Sequence, residues 1–182
     1  MPDIMATGKG LSSGYTPIAA TIVREDIYEA IHAGGTGFVH GHTYGGNPLS
    51  CATALAVLNY IDDHDLVPQC ARMGDLLLKQ LKSFEDLSIV GEVRGKGLLI
   101  GIEFVEDKET RTPFDPAKGV TGRVVDEAFD RGLLIMPGAP GMIDGVAGDH
   151  IAISPPFTVN GDQIQQIVTI LREVIIEVGT AV

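Results

Sequence analysis

The 182-residue sequence has no tryptophan, 5% aromatic residues and two cysteines. Cys51 and Cys70 are too few and too scattered for a disulfide framework or a zinc site, so we expect both to be small core residues of helices in a cytoplasmic protein. Long apolar runs are also missing, because charges or glycines interrupt each one, and this argues against a membrane span. No basic segment followed by an apolar stretch marks a secretory signal at the N-terminus.

Basic residues are scarce as well. Thirteen Lys and Arg face 24 Asp and Glu, which gives a formal net charge of −11. This balance argues against a nucleic-acid surface, and an acidic excess of this size mainly favours solubility. The 23 glycines follow no repeat period, which is typical of an α/β enzyme scaffold with many tight turns rather than of a fibre.

The first informative stretch, residues 3–15, carries one lysine between glycines. Its apolar start predicts the end of a strand, and its glycines and serines predict a turn that exposes Lys9. Gly8 and Gly10 would let the backbone take conformations closed to other residues and let a flat ligand approach. Lys9 is therefore a candidate for holding a cofactor. The alternative is that Lys9 is an ordinary solvated surface lysine, and Lys96, in a second Gly-Lys-Gly, is a rival candidate for the cofactor. The residues around neither lysine match the P-loop pattern.

The second informative stretch, residues 38–48, is rich in glycine and precedes a helical pattern. Asn47 is suited to cap that helix and Pro48 to its first turn. Exposed amides together with the Thr43 hydroxyl would make an anion site. The two histidines of this stretch have no carboxylate or thiol nearby at ligand spacing, so no metal site is predicted.

Periodicity and turn residues divide the rest of the chain into helices, strands and loops. The predicted elements are a strand buried on both faces at 18–23, a helix at 25–32, a loop at 34–38, helices at 48–61 and 67–84, a hairpin at 90–104 with its turn at 95–97, a surface loop at 105–118, a helix at 117–131, a short buried strand at 133–136, a loop at 137–148, a strand at 150–157 and a closing helix at 163–178. Asp149, His150 and Ser154 do not make a hydrolase triad, because neighbours on a strand alternate faces.

The lysine stretch resembles the cofactor-lysine segment of the class III (omega-type) pyridoxal-phosphate aminotransferases: Asp3-Ile4 is followed by Gly-Lys9-Gly-Leu-Ser-Ser-Gly-Tyr-Thr-Pro-Ile18. Further blocks at 38–54, 91–104 and 148–157 agree with that family in the same order. The resemblance implies an α/β fold-type-I PLP-transferase, here the end of the large domain with its connecting helix (1–60) and an α+β C-terminal small domain (61–182). Family members are more than twice this length.

The resemblance also implies roles for single residues. Lys9 would hold pyridoxal 5'-phosphate as a Schiff base, and Thr43 would bind the phosphate of the partner subunit's PLP, which implies a homodimer. Tyr15 and His42 are the local candidates for shaping the substrate pocket. The family also carries an Arg-Gly-x-Gly-Leu hairpin at the position of residues 94–98, which favours a structural role for Lys96. The implied activity is amino transfer from an amine or omega-amino acid donor to a keto-acid acceptor such as pyruvate, with no metal, nucleic acid or membrane involved.

Two alternatives stay open. The chain could be a truncated, catalytically incompetent fragment, or an interaction module that keeps the family's dimer surface. It could also belong to a related PLP-dependent aminomutase, which uses the same lysine without an external acceptor. One departure bears on the substrate: many family members place an arginine that clamps the substrate carboxylate where this chain has Gly145, so recognition by such an arginine is in doubt.

Overall fold

The computed structural model describes residues 2–35, 37–139 and 141–182. Thr36 and Pro140, which fall in two of the predicted loops, lie outside the described residues. The chain divides into two compact units, one ending at Asp65 and the other running from Leu66 to Val182. The elements are β1 Ile4–Thr7, β2 Ala20–Val23, α1 Glu25–Ala33, α2 Pro48–Asp63, α3 Leu66–Lys82, β3 Val90–Lys96, β4 Leu99–Phe104, α4 Val120–Asp130, β5 Met136–Pro137, β6 Asp149–Ile153 and α5 Gly161–Ala181, with short 3-10 helices at Lys9–Ser12, Ser83–Asp86 and Pro116–Lys118.

The strands of the first unit form a two-stranded antiparallel sheet, in which β1 pairs with β2 from Ile4 opposite Val23 to Thr7 opposite Ala20. The prediction that β2 is buried on both faces is wrong. Ile22 is 52% exposed, because β1 is the sole strand paired with β2 in the described chain and no apolar layer of this unit covers the sheet.

Helix α2 begins as the sequence predicts. The Asn47 side chain caps it by accepting a hydrogen bond from the Ser50 amide at 3.1 Å, and Pro48 occupies the first turn. The helix buries little, since Ala54 is its one buried residue. The prediction of a core position for Cys51 is therefore wrong: Cys51 is exposed, whereas Cys70 on α3 packs partly buried against the core of the second unit.

The second unit has the predicted α+β composition. Its four strands form an antiparallel sheet in the order β3-β4-β6-β5, and α3, α4 and α5 supply helices that pack on the sheet and on one another. A capping box formed by Asn160 and Gln163 starts α5. One continuous hydrophobic cluster fills this unit; its largest buried side chains are Phe84, Phe104, Leu77, Leu81, Ile100, Ile102, Ile151, Ile164, Leu171 and Ile175.

Two predicted strand details differ in the structure. The hairpin is present, but Lys96 still pairs with Leu99, so the turn falls at Gly97 and Leu98, where Gly97 takes a left-handed φ of +56°. The predicted buried strand at 133–136 is reduced to β5, because the chain reaches β6 only at Met136 and Pro137. Among the described residues, no helix combines the length and the apolar character needed to cross a membrane.

Candidate functional site

Lys9 lies at the start of the 3-10 helix that follows β1, and its backbone is left-handed with φ of +45°. Ser13 closes the same helix with φ of +50°. A residue other than glycine in this region costs about 1–3 kcal/mol, and such strain persists only where the surroundings fix it. Strained residues cluster at ligand-binding and catalytic sites, so the backbone at Lys9 marks this turn as a candidate site.

The glycines beside Lys9 do not carry the unusual backbone. Gly8 is extended, with φ of −171°, and Gly10 is not among the residues with positive φ. The interpretation that these two glycines are needed for their conformational freedom is therefore wrong, because the left-handed positions are Lys9 and Ser13 themselves. The surface at Gly10 is open, since a Cβ built there would meet no atom within 4 Å.

Hydrogen bonds hold the lysine turn in place. The Leu11 amide donates to the Gly8 carbonyl at 2.9 Å, and the Tyr15 amide donates to the Ser12 carbonyl at 3.0 Å. Ser12 is 2% exposed, and its hydroxyl donates to the Thr16 carbonyl at 2.6 Å. The turn is thus closed by backbone bonds and locked by one buried hydroxyl.

A side-chain hydrogen bond joins this turn to helix α2. Thr16 Oγ1 lies 2.8 Å from Ser50 Oγ, in the first turn of the helix. Sequence reasoning missed Ser12, Thr16 and Ser50. The contact between Thr16 and Ser50 joins residues 34 positions apart, which no local pattern records, and the bond from Ser12 to Thr16, four positions away, depends on how the turn folds.

The second predicted stretch forms a turn that leads into α2. The Gly45 amide donates to the His42 carbonyl at 2.9 Å, and the Asn47 amide donates to the Tyr44 carbonyl at 3.1 Å. Thr43 is exposed, and within the described residues its hydroxyl has no hydrogen-bond partner. The N-terminus of a 16-residue helix follows, where the helix dipole favours a negative charge. Thr43 thus lies in the turn that precedes the N-terminus of α2.

All four residues predicted for the site belong to the first unit and are exposed: Lys9, Tyr15, His42 and Thr43. Tyr15 has 82% of its surface exposed. In the described ranges, no hydrogen bond joins any of the four to another of them. The rival Lys96 lies on β3 in the second unit and is also exposed.

The carboxyl groups with shifted pKa values, Glu85, Asp86 and Asp107, belong to the second unit. Hydrogen bonds from the Lys82 ammonium and the Val93 amide lower the pKa of Glu85 below its ordinary value of 4.5. The Arg172 guanidinium likewise lowers the pKa of Asp86. Both are surface ion pairs, and neither carboxyl group belongs to the predicted site. No cluster of three or more potential metal ligands occurs among the described residues.

A cavity of about 240 Å³ lies in the second unit beside the start of α4. Asp149 lines it and accepts hydrogen bonds from the Thr121 amide at 2.8 Å and the Thr121 hydroxyl at 2.7 Å. In the nearby turn, Asp144 and Gly145 have φ of +51° and +73°, as the central residues of a tight hairpin turn require. An arginine at position 145 would be strained there, so the local backbone matches the glycine.

The profile of the aminotransferase class-III family matches residues 1–175. The chain belongs to the class-III aminotransferase family. The sequence is 43% identical over 176 residues to an uncharacterized aminotransferase, YodT, of Bacillus subtilis, covering 96% of this chain and 39% of that protein. It is 37% identical to the adenosylmethionine-8-amino-7-oxononanoate aminotransferase of Anoxybacillus flavithermus, covering 97% of this chain and 37% of that enzyme.

Solved structures agree with this membership. A transaminase from the marine bacterium Virgibacillus superposes with a TM-score of 0.92 at 32% identity, covering 100% of this chain and 40% of that one. An amine transaminase from an uncultivated Pseudomonas species, in its PLP-bound form, gives a TM-score of 0.85 at 40% identity, covering 97% of this chain and 38% of that one. The predicted family and fold type I are thereby confirmed, and pyridoxal phosphate is this family's cofactor. The chain spans about two fifths of the length of these relatives.

Proposed function

We propose that Lys9 is the residue that attaches covalently to pyridoxal phosphate, and that the whole protein transfers amino groups from an amine or omega-amino acid to a keto acid such as pyruvate. One observation carries the proposal: in a chain of this family, Lys9 lies on a hydrogen-bonded turn whose strained backbone is fixed by its surroundings. Lys96 lies on a regular hairpin strand and has no comparable setting.

The donor groups present fit this cofactor. Pyridoxal phosphate needs a primary amine for its aldehyde and an anion site for its phosphate. The exposed Lys9 supplies the amine, with open space beside it at Gly10. Thr43 and the start of α2 supply a hydroxyl and a helix N-terminus for the phosphate. When bound, the cofactor supplies a ring that withdraws electrons from the substrate carbon next to the amine.

In this proposal Lys9 has two tasks. Its Nζ would hold the cofactor between turnovers, and the same amine, when free, would carry a proton to and from the substrate carbon. Both tasks need a lysine whose backbone stays fixed while its flexible side chain moves. The short, hydrogen-bonded turn around Lys9 supports that requirement.

We propose a homodimer in which Thr43 binds the phosphate of the partner subunit's cofactor. Support comes from the exposure of apolar side chains around it: Phe38 is 73% exposed, Val39 90% and Tyr44 81%. Several exposed large apolar residues within one short segment are typical of a surface that another chain covers. A cytoplasmic location is part of the same proposal, since the two cysteines are unpaired.

We propose that Tyr15 and His42 shape the substrate pocket, because both are exposed. Tyr15 lies six residues after Lys9, and His42 directly precedes Thr43. Relatives support an omega-amino donor. One of them, named gamma aminobutyrate transaminase 3, chloroplastic, from Solanum lycopersicum, is 36% identical over 171 residues and matches 92% of this chain.

The two lysines give the direct test. We expect Lys9→Ala to abolish both the visible absorption band that saturates with added pyridoxal phosphate and amino transfer to pyruvate, while Lys96→Ala keeps both. Near-normal activity in the Lys9→Ala protein would reject the assignment. Saturable binding at Lys9 without turnover would favour the catalytically incompetent alternative, and isomerisation of an amino acid without any keto acid would favour the aminomutase.

A further inference from the structure

A hydrogen bond between the side chains of Thr16 and Ser50 joins the end of the lysine turn to helix α2. Thr16 Oγ1 and Ser50 Oγ are 2.8 Å apart, and both residues are half-buried. In this contact, each hydroxyl bonds to the other segment and not to its own helix or turn. The bond therefore connects two segments that are far apart in sequence.

On the lysine side, the connection continues through a buried group. The Thr16 carbonyl accepts the Ser12 hydroxyl at 2.6 Å, and Ser12 is the one buried polar residue among those the structure describes. Ser12 ends the 3-10 helix that Lys9 begins. A displacement of Thr16 would thus be passed directly to the turn that sets the Lys9 backbone.

On the helix side, the connection continues to the Thr43 segment. The Ser50 amide donates to Asn47 Oδ1 at 3.1 Å, and the Asn47 amide donates to the Tyr44 carbonyl at 3.1 Å. Tyr44 follows Thr43 directly. A series of hydrogen bonds that share Thr16, Ser50 and Asn47 therefore connects the lysine turn with the residue next to Thr43.

We propose that Thr16 and Ser50 are positioning residues, whose hydroxyl–hydroxyl bond holds the Lys9 turn at a fixed place relative to Thr43. The inference rests on the function proposed above for Lys9 and Thr43. Because Thr43 is proposed to serve the partner subunit's cofactor, the bond links the lysine of one site to the phosphate ligand of the other. Neither hydroxyl touches substrate or cofactor in this role.

Amide hydrogen exchange on the full chain measures the effect without any cofactor. We expect Thr16→Val and Ser50→Ala each to speed exchange of the Leu11 and Tyr15 amides by about 3- to 10-fold, the loss that one hydrogen bond implies. The double variant should be no faster than either single one, because both changes remove the same bond. Ser50→Thr keeps the hydroxyl and should restore slow exchange.

Thr53→Val is the matched control. The Thr53 hydroxyl lies on the same helix but donates to the Leu49 carbonyl within it, at 2.9 Å. We expect this variant to leave exchange in the lysine turn unchanged. Unchanged turn exchange in Thr16→Val and Ser50→Ala, or an equal rise in Thr53→Val, would overturn the proposal.

A second readout tests the consequence for the cofactor. The chain is treated with pyridoxal phosphate and borohydride, and the ratio of label at Lys9 to label at Lys96 is read by peptide mapping. We expect the ratio to fall several-fold in Thr16→Val and Ser50→Ala and to stay constant in Thr53→Val. A wild-type preference for Lys9 that both variants retain would overturn the positioning role alone. A wild-type chain without that preference would overturn the proposed function, and the positioning role with it.

Discussion

The two units of this chain differ in what they bury. In the second unit, a continuous cluster of apolar side chains fills the space between a four-stranded sheet and three helices. In the described part of the first unit, Ser12 and Ala54 are the buried residues, and large apolar side chains such as Tyr15 and Leu49 remain exposed. The unit that carries every proposed site residue is therefore the one without a core of its own.

This difference separates two kinds of order. The second unit owes its structure to burial of apolar surface, which is the main driving force of folding. The first unit owes its local order to caps, turns and a few hydrogen bonds, each of which contributes about 1 kcal/mol. Its site geometry depends on those few bonds, so single hydroxyl groups matter there more than single methyl groups.

The largest expected effect comes from truncating a core side chain of the second unit. Leu171 has no exposed surface, so we expect Leu171→Ala to lower the free energy of unfolding by about 2–5 kcal/mol through lost burial and the cavity left behind. Urea denaturation followed by circular dichroism measures it. The matched variant in the first unit is Leu55→Ala on α2, where Leu55 is 59% exposed and we expect a change of about 0.5 kcal/mol or less. Equal losses would contradict the contrast between the units.

A somewhat smaller effect is expected where helix α3 meets the hairpin turn. A Cβ built on Gly74 would overlap the backbone of Gly97, so Gly74→Ala must push α3 away from the turn. We expect a loss of about 1–3 kcal/mol in the same denaturation experiment. Gly122→Ala on α4 is the control, since a Cβ there meets nothing within 4 Å; it should stabilise the protein by about 0.5–1 kcal/mol. A neutral Gly74→Ala would show that this contact is looser than described.

The smallest expected effect is electrostatic. The folded-state pKa of Glu85 is lowered, so its ionised form contributes stability above its ordinary pKa of 4.5, and that contribution disappears as the pH falls through the lowered value. Glu85→Gln should reduce the free energy of unfolding at pH 7 by about 0.5 kcal/mol, because the pair with Lys82 is solvent-exposed. The difference from wild type should vanish in acid. A difference that persists there would mean that the amide fails to replace the bond to Val93.

The sequence predicted what depends on local chemistry. Asn47 and Pro48 mark the start of α2, and the glycine-rich turn between two strand-like segments marks the hairpin of β3 and β4. Sequence patterns failed to predict exposure where it depends on the neighbouring elements. The apolar run of β2 looks like a buried strand, yet β2 belongs to a two-stranded sheet and its Ile22 is 52% exposed.

The sequence predicted which residues form the candidate site, but it did not predict how they are arranged in space. Lys9 and Thr43 stand out through the motifs around them, whereas the bond between Thr16 and Ser50 depends on where two separate segments meet. The left-handed backbone of Lys9 was also hidden, because glycine neighbours suggested that the strain would fall on them.

The central claim is that Lys9 is the cofactor lysine. The most direct measurement is borohydride trapping of the purified chain with pyridoxal phosphate, followed by peptide mapping of every lysine. The account predicts saturable labelling concentrated on the peptide that contains Lys9, with Lys96 labelled no more than other surface lysines. Labelling spread evenly over the surface lysines, or concentrated on Lys96, would contradict it.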